Sequence, residues 1–210
     1  TLAATGLTPG TLYYIYAYMN SGTLTLEAST TTHATDATTG VEIKSGDATR
    51  TLVGVVEPVT GPAFQDSPAN RLVRSYFTRT PVGIYGPRLG TVATSTSTSF
   101  AEVSSSLRAR FITWADEDVF LSSAGWVYNA SAEEASTAVS LDGDTATAAN
   151  RSLTSTVFNS AGGPCVTSGA VSPSEGAHYI TLIGAVSGGT GVWQPTSGVR
   201  DGVCVTGLIG

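Results

Sequence analysis

The sequence predicts an all-β protein, on three observations. Short segments alternate apolar and polar residues with a period of two along nearly the whole chain, Gly, Pro, Asn and Asp punctuate them at close spacing, and the composition favours extended backbone. Of 210 residues only 12% are charged and 24 are glycine, and Ser, Thr and Ala fill the deficit. Thr and Gly carry a cost in helices, whereas short β-branched side chains pack well on a pleated surface. A chain of this length buries a proper core without metal or disulfide staples. We expect two β-sandwich or jelly-roll-like domains, 1–82 and 101–210, joined by a Gly/Pro/Ser/Thr-rich linker at 83–100.

The first strand is GTLYYIYAYM, in which Leu12, Tyr14, Tyr16 and Tyr18 alternate with Tyr13, Ile15, Ala17 and Met19, so both faces can bury apolar surface. Asn20-Ser21-Gly22 tolerates positive φ, and TLTLEAS resumes the period of two, which predicts a hairpin. Tyrosine suits a strand whose ring packs inward while its hydroxyl reaches the sheet rim or a neighbouring chain. VEIKSG, RTLVGVVEPV and RLVRSYFTR follow as strands, each bounded by Gly, Pro, Asp or Asn. The stretch PVGIYGPRLGTVATSTSTSF breaks the pattern and reads as the linker. Strands resume with SSLRARFITWA and DVFLSSAGWVYNASA, then TAVSLDGDT, SLTSTVFNS, AHYITLIGAVSGG, TGVWQP and DGVCVTGLIG. One short helical piece is expected around Ala132 to Ser136.

Charge excludes one class of partner. The net charge is −6 and Lys44 is the single lysine, so no basic stripe exists to neutralise a phosphate backbone, and nucleic acid is not an expected partner. No stretch reaches the roughly 20 apolar residues of a membrane-spanning helix, and TLAATGLTPG has neither the basic start nor the apolar core of a signal peptide. Starting without Met and inside a strand-and-turn pattern, the chain reads as a piece of a longer polypeptide.

Signals for catalysis are sparse. His33 and His178 stand in different halves of the chain with no ligand-spaced partners, so neither metal nor cofactor is expected. Ser172 or Ser174 beside His178, with Glu175, could be assembled into a triad, but SPSEGAHY is ordinary turn chemistry and GxSxG is absent. Asp116, Glu117 and Asp118 in WADEDVF and Asp142 and Asp144 in LDGDTAT are paired carboxylates of the kind glycosidases and calcium sites use. As a hairpin tip and a tight turn, with their charges in water, both have a simpler reading. Cys165 and Cys204 read as two small buried hydrophobes that nothing obliges to pair. Among aromatics, Trp114 alternates with core residues, while Trp126, Trp193 and Tyr85 sit nearer to loops and are the candidate surface or interface contacts.

The run LTPGTLYYIYAYMNSGTLTLEASTT, continued by HATDATTGVEIKSGDATRTLVGVVEP and closed by RLVRSYFTR, resembles a recurrent module of bacteriophage and prophage virion proteins of the tail-fibre and head-fibre type. The resemblance covers about residues 6 to 80, and the second half is similar only in style to the C-terminal β-domains of such fibres. Tyr76, Phe77 and Thr78 stand where the module more usually has Trp and Asn. The resemblance implies a non-enzymatic virion component, homotrimeric, packed against copies of itself and other virion proteins. Host-surface glycan recognition would then lie in loops such as Gly83 to Gly90 and Gly188 to Ser197. YYIYAY also resembles the tyrosine strand of fibronectin type III domains, which leaves a secreted carbohydrate-binding or carbohydrate-active β-module as the alternative.

Overall fold

A computed structural model describes residues 1–131, 133–146, 150–152, 154–158, 160–195 and 202–210, and the protein is all-β. The chain divides into two compact units, Thr1–Thr80 and Pro81–Gly210.

The first unit carries β1 (Tyr13–Asn20), β2 (Thr23–Ser29), β3 (His33–Thr35), β4 (Glu42–Lys44), β5 (Asp47–Val56), β6 (Asp66–Ser67), β7 (Asn70–Arg71) and β8 (Val73–Ser75). Its main sheet runs β2-β1-β5-β4-β3, with β8 sharing an edge of β5 with β4, and β6 and β7 form a small hairpin. Ser21 and Gly22, at φ 48° and 84°, close the β1–β2 hairpin, the two successive positive φ values that a two-residue turn matching the strand twist requires. The register between β1 and β5 shifts at Ile15/Tyr16, and around this bulge Tyr14, Ile15 and Tyr16 are all buried.

Each tyrosine of β1 has a separate structural task. The Tyr13 hydroxyl accepts the Thr8 N–H at 3.1 Å and ties the strand to the backbone five residues upstream. Tyr14 meets the His33 ring edge-on at 5.6 Å. Tyr16 is fully buried and its hydroxyl donates to the Thr31 carbonyl at 2.8 Å. Tyr18 carries the Arg50 guanidinium 3.8 Å above its ring. Glu27 completes that side of the sheet by accepting from Lys44 and from Arg50, and these hydrogen bonds hold its carboxyl below the ordinary glutamate range.

The second unit is a β-sandwich built from β9 (Val82–Tyr85), β10 (Ala93–Ser95), β11 (Ala101–Glu102), β12 (Ala109–Thr113), β13 (Val119–Asn129), β14 (Glu134–Leu141), β15 (Ser155–Phe158), β16 (Gly163–Val171), β17 (Gly176–Val186), β18 (Gly191–Trp193) and β19 (Cys204–Ile209). In the first sheet β13 is central, with β16 along one edge and β19 and β18 along the other, flanked by β9 and β10. The second sheet runs β15-β14-β17-β12 with β11 on β17. Val119, Leu121, Val205 and Ile209 face Phe111, Val139, Ile180 and Leu182 across one core.

Two expectations are corrected. Residues 83–100 are not a linker: β9 and β10 pair into the first sheet, the Gly86 and Leu89 amides bond to Val205 and Val203 carbonyls, and Leu89 is core. Their glycines and prolines delimit very short strands. The expected helix at Ala132 to Ser136 is also absent from the described part of that stretch, where β14 begins at Glu134 and pairs with β15 and β17. Ala132 itself lies outside the described residues. Sheet pairing on both edges overrides the local preference of an Ala/Glu run.

Candidate interaction face

The outer face of the first sheet of the second unit combines strands without charge and several large apolar side chains in water. Strand parity puts Val119, Leu121 and Val127 of β13 into the core and turns Phe120, Ser122, Ala124 and Trp126 outward. The register then composes the face in rows. Ala170, Phe120, Leu208 and Gly83 form one, and Ser168, Ser122, Thr206 and Tyr85 the next. Val166, Ala124 and Cys204 make the third, and Pro164 sits beside Trp126 in the fourth. Neither the outward nor the inward positions of β9, β16, β19 or residues 119–129 include a charged residue.

Large apolar side chains stand in water on this face. Tyr85 is 60% exposed, Val166 64%, Phe120 49% and Leu208 46%. At roughly 150–250 Å² per aromatic side chain, Phe120 and Tyr85 alone leave about 200 Å² of ring surface uncovered. Contiguous apolar patches of a few hundred Å² mark interaction sites on soluble proteins.

Of the three aromatic candidates from the sequence, two lie on this face, two strands and two rows apart, and one does not. Tyr85 lies on β9 with its ring over Gly83, where an added Cβ would come within 2.8 Å of the ring. Trp126 is half-buried on the same face, beside Gly162. Trp193 is fully buried and is no surface contact: its Nε1 donates to Thr137 Oγ1 at 3.0 Å. Its glycine-rich neighbourhood is a socket, since a Cβ on Gly184 would lie 2.2 Å from the indole and one on Gly191 3.0 Å from it. Phe120, Val166 and Leu208 were not singled out from sequence, because their strands are apolar on both faces and alternation alone does not tell inside from outside. Of the loops expected to hold receptor contacts, Gly83 to Gly90 begins within β9 and Gly188 to Ser197 contains β18, its last two residues lying outside the described ones.

The candidate catalytic groups are engaged in structural work. His178 Nδ1 donates to Asp142 Oδ2 at 2.7 Å and Nε2 to the Ser174 carbonyl at 2.9 Å. Both ring nitrogens thus face oxygens that only accept, which selects the imidazolium. Burial of the ring opposes its charge, but the Asp142 carboxylate and the Ser174 carbonyl outweigh it and raise the His178 pKa above the ordinary value. The Ser172 hydroxyl donates to Asp118 Oδ1 at 2.6 Å, so neither serine hydroxyl meets the imidazole in this arrangement.

The acidic turns divide in the same way. Asp142 and Gly143, at φ 53° and 69°, form the tight turn closed by Asp144 N–H to Leu141 C=O at 3.0 Å. Asp142 also accepts the Tyr179 N–H at 2.9 Å. Glu117, expected in water, is instead buried and caps the Trp114 N–H at 2.9 Å. Turning the carboxylate onto the amide of its own turn leaves no bare charge inside. Among the described residues no group of three or more His, Cys, Asp or Glu could hold a metal ion. Cys165 faces the core and Cys204 the outer face, on opposite flanks of β13, and both are free thiols.

No protein-family model matches the chain, and no curated protein matches it. Among solved structures, a chain from the "Structure of infectious bursal disease virus Gx strain" aligns over 96% of this chain at 10% identity and a TM-score of 0.36. This chain spans 58% of that one.

Proposed function

We propose that this chain is a non-enzymatic structural component of a virion. It serves as a fibre subunit of the phage and prophage type, on head or tail, that packs as a homotrimer against copies of itself and other virion proteins. The observation that carries the reading is the uncharged outer face of β16, β13, β19 and β9. A molecule of net charge −6 repels its own copies, and a face without Asp, Glu, Lys or Arg is where that repulsion is weakest and apolar burial is available. The resemblance of residues 6 to 80 to virion modules supports the same reading, with the particle outside the cell as its location. Host attachment would fall to exposed loops at the ends of the strands.

One observation favours a second reading. Trp126 and Tyr85 share one face, and aromatic rings on an open sheet face can stack on sugar rings, as a carbohydrate-binding module would require. Light scattering coupled to size exclusion separates the two. The virion reading predicts three chains per particle for the native protein and one for Phe120→Asp/Leu208→Asp. The second reading predicts a single chain throughout, with glycan binding that Trp126→Ala abolishes.

A further inference from the structure

The two edges of the sheet in the first unit are built differently. One ends in β3, only three residues long, the usual way of blunting an edge. The other ends in β2, seven residues of TLTLEAS, and among the described residues no strand pairs with its outer side. β2 has no proline, no lysine and no bulge against β1. Its single charge, Glu27, is turned onto Lys44 and Arg50 of its own sheet. Devices that discourage edge-to-edge pairing are therefore missing along β2.

We propose that β2 pairs antiparallel with β2 of a second copy of this chain, about a twofold axis at Leu26. The hairpin fixes which groups are on offer. With Asn20 and Thr23 flanking a two-residue turn, Thr23, Thr25, Glu27 and Ser29 bond inward to β1, which points the amides and carbonyls of Leu24, Leu26 and Ala28 outward. A register centred on Leu26 sets Leu26 against the partner's Leu26 and Leu24 against the partner's Ala28, and each such pair exchanges two N–H···O bonds.

The side chains agree with this register. Leu24, 69% exposed in the single chain, lands beside the row Ala28, Ile15, Gly54, at the lip of an apolar groove of about 300 Å³ lined by Ile15, Leu26, Val53, Val56 and Val73. On the opposite face each Thr25 meets a Glu27 already neutralised by Lys44 and Arg50, so no bare like charges oppose one another. One strand pair buries less than the roughly 800 Å² per partner of a stable free complex, so the association is concentration-dependent. This pairing rests on the first unit alone and is independent of the virion reading.

Cysteine cross-linking of the full chain in a Cys204→Ser background tests it. Leu26→Cys is expected to give a covalent dimer on mild oxidation, several-fold more than Thr23→Cys. Ala28→Cys and Leu24→Cys chains should cross-link when mixed and not when oxidised separately. This second pair keeps the test decisive if Leu26→Cys folds poorly. Equal yields at Leu26 and Thr23, or no dimer from the mixture, would overturn the proposal. Running the same series with Phe120→Asp added keeps a failure at β2 distinct from a failure at the outer face of the second unit.

Discussion

At the residue scale the side chain whose role is most sharply defined is His178. Its imidazolium bridges the turn of Asp142 and the carbonyl of Ser174 from within β17. The folded pKa is raised above the unfolded value of about 6.5, so the stabilisation is fully present below that value and is lost as the pH rises through the folded pKa. Denaturant midpoints of the native protein and of His178→Gln should therefore converge as pH is raised, and a gap that widens with pH would contradict the assignment. The two thiols differ as sharply. Burial pushes Cys165 up to about 11, while Cys204 is half-exposed on the outer face. In the one-chain Phe120→Asp/Leu208→Asp variant, where the outer face is open, a thiol reagent at pH 8 is expected to modify Cys204 in the folded protein and both cysteines only after unfolding. Modification of both in the native state would show that the core around Cys165 opens.

At the element scale, glycine placement decides what the sandwich core can hold. Gly184 on β17 lies opposite Thr137 and leaves room for the Trp193 indole that bonds to Thr137. Gly184→Ala is expected to destabilise by about 1–3 kcal/mol through overpacking, and Trp193→Ala by about 3–5 kcal/mol through the cavity it leaves. Both are read as a lowered denaturant midpoint at unchanged m. Near-neutral behaviour of Gly184→Ala would mean that the indole does not occupy this socket.

The same socket shows where sequence reading reaches its limit. The period of two and the Asn20-Ser21-Gly22 turn were enough to place the β1–β2 hairpin, because pleat and turn are local properties. Trp193 read as a loop residue because Gly191 looked like punctuation, whereas the missing side chains of Gly191 on its own strand and of Gly184 on β17 make room for its ring. Asp142 and His178 are 36 residues apart and meet only through the pairing of β14 with β17. The outer face was half legible. Trp126 and Tyr85 were recognisable as aromatic residues near turns, but that they share a face with Phe120, Val166 and Leu208 follows from a register that no single strand encodes.

At the scale of the whole molecule, a chain with 16 acidic and 10 basic residues keeps every one of them out of β9, β16, β19 and residues 119–129. A solvated face can carry charge at little cost in stability, and charge keeps copies apart. A face built instead of Phe, Leu, Val, Tyr and hydroxyl side chains is suited to being covered by another chain. The most direct measurement is the mass of the native protein in dilute solution by light scattering coupled to size exclusion, alongside Phe120→Asp/Leu208→Asp. Three times the mass of one chain for the native protein, falling to one chain for the double variant, is the predicted result. A native protein of one-chain mass across the accessible concentration range, or a trimer indifferent to the two aspartates, would contradict the account.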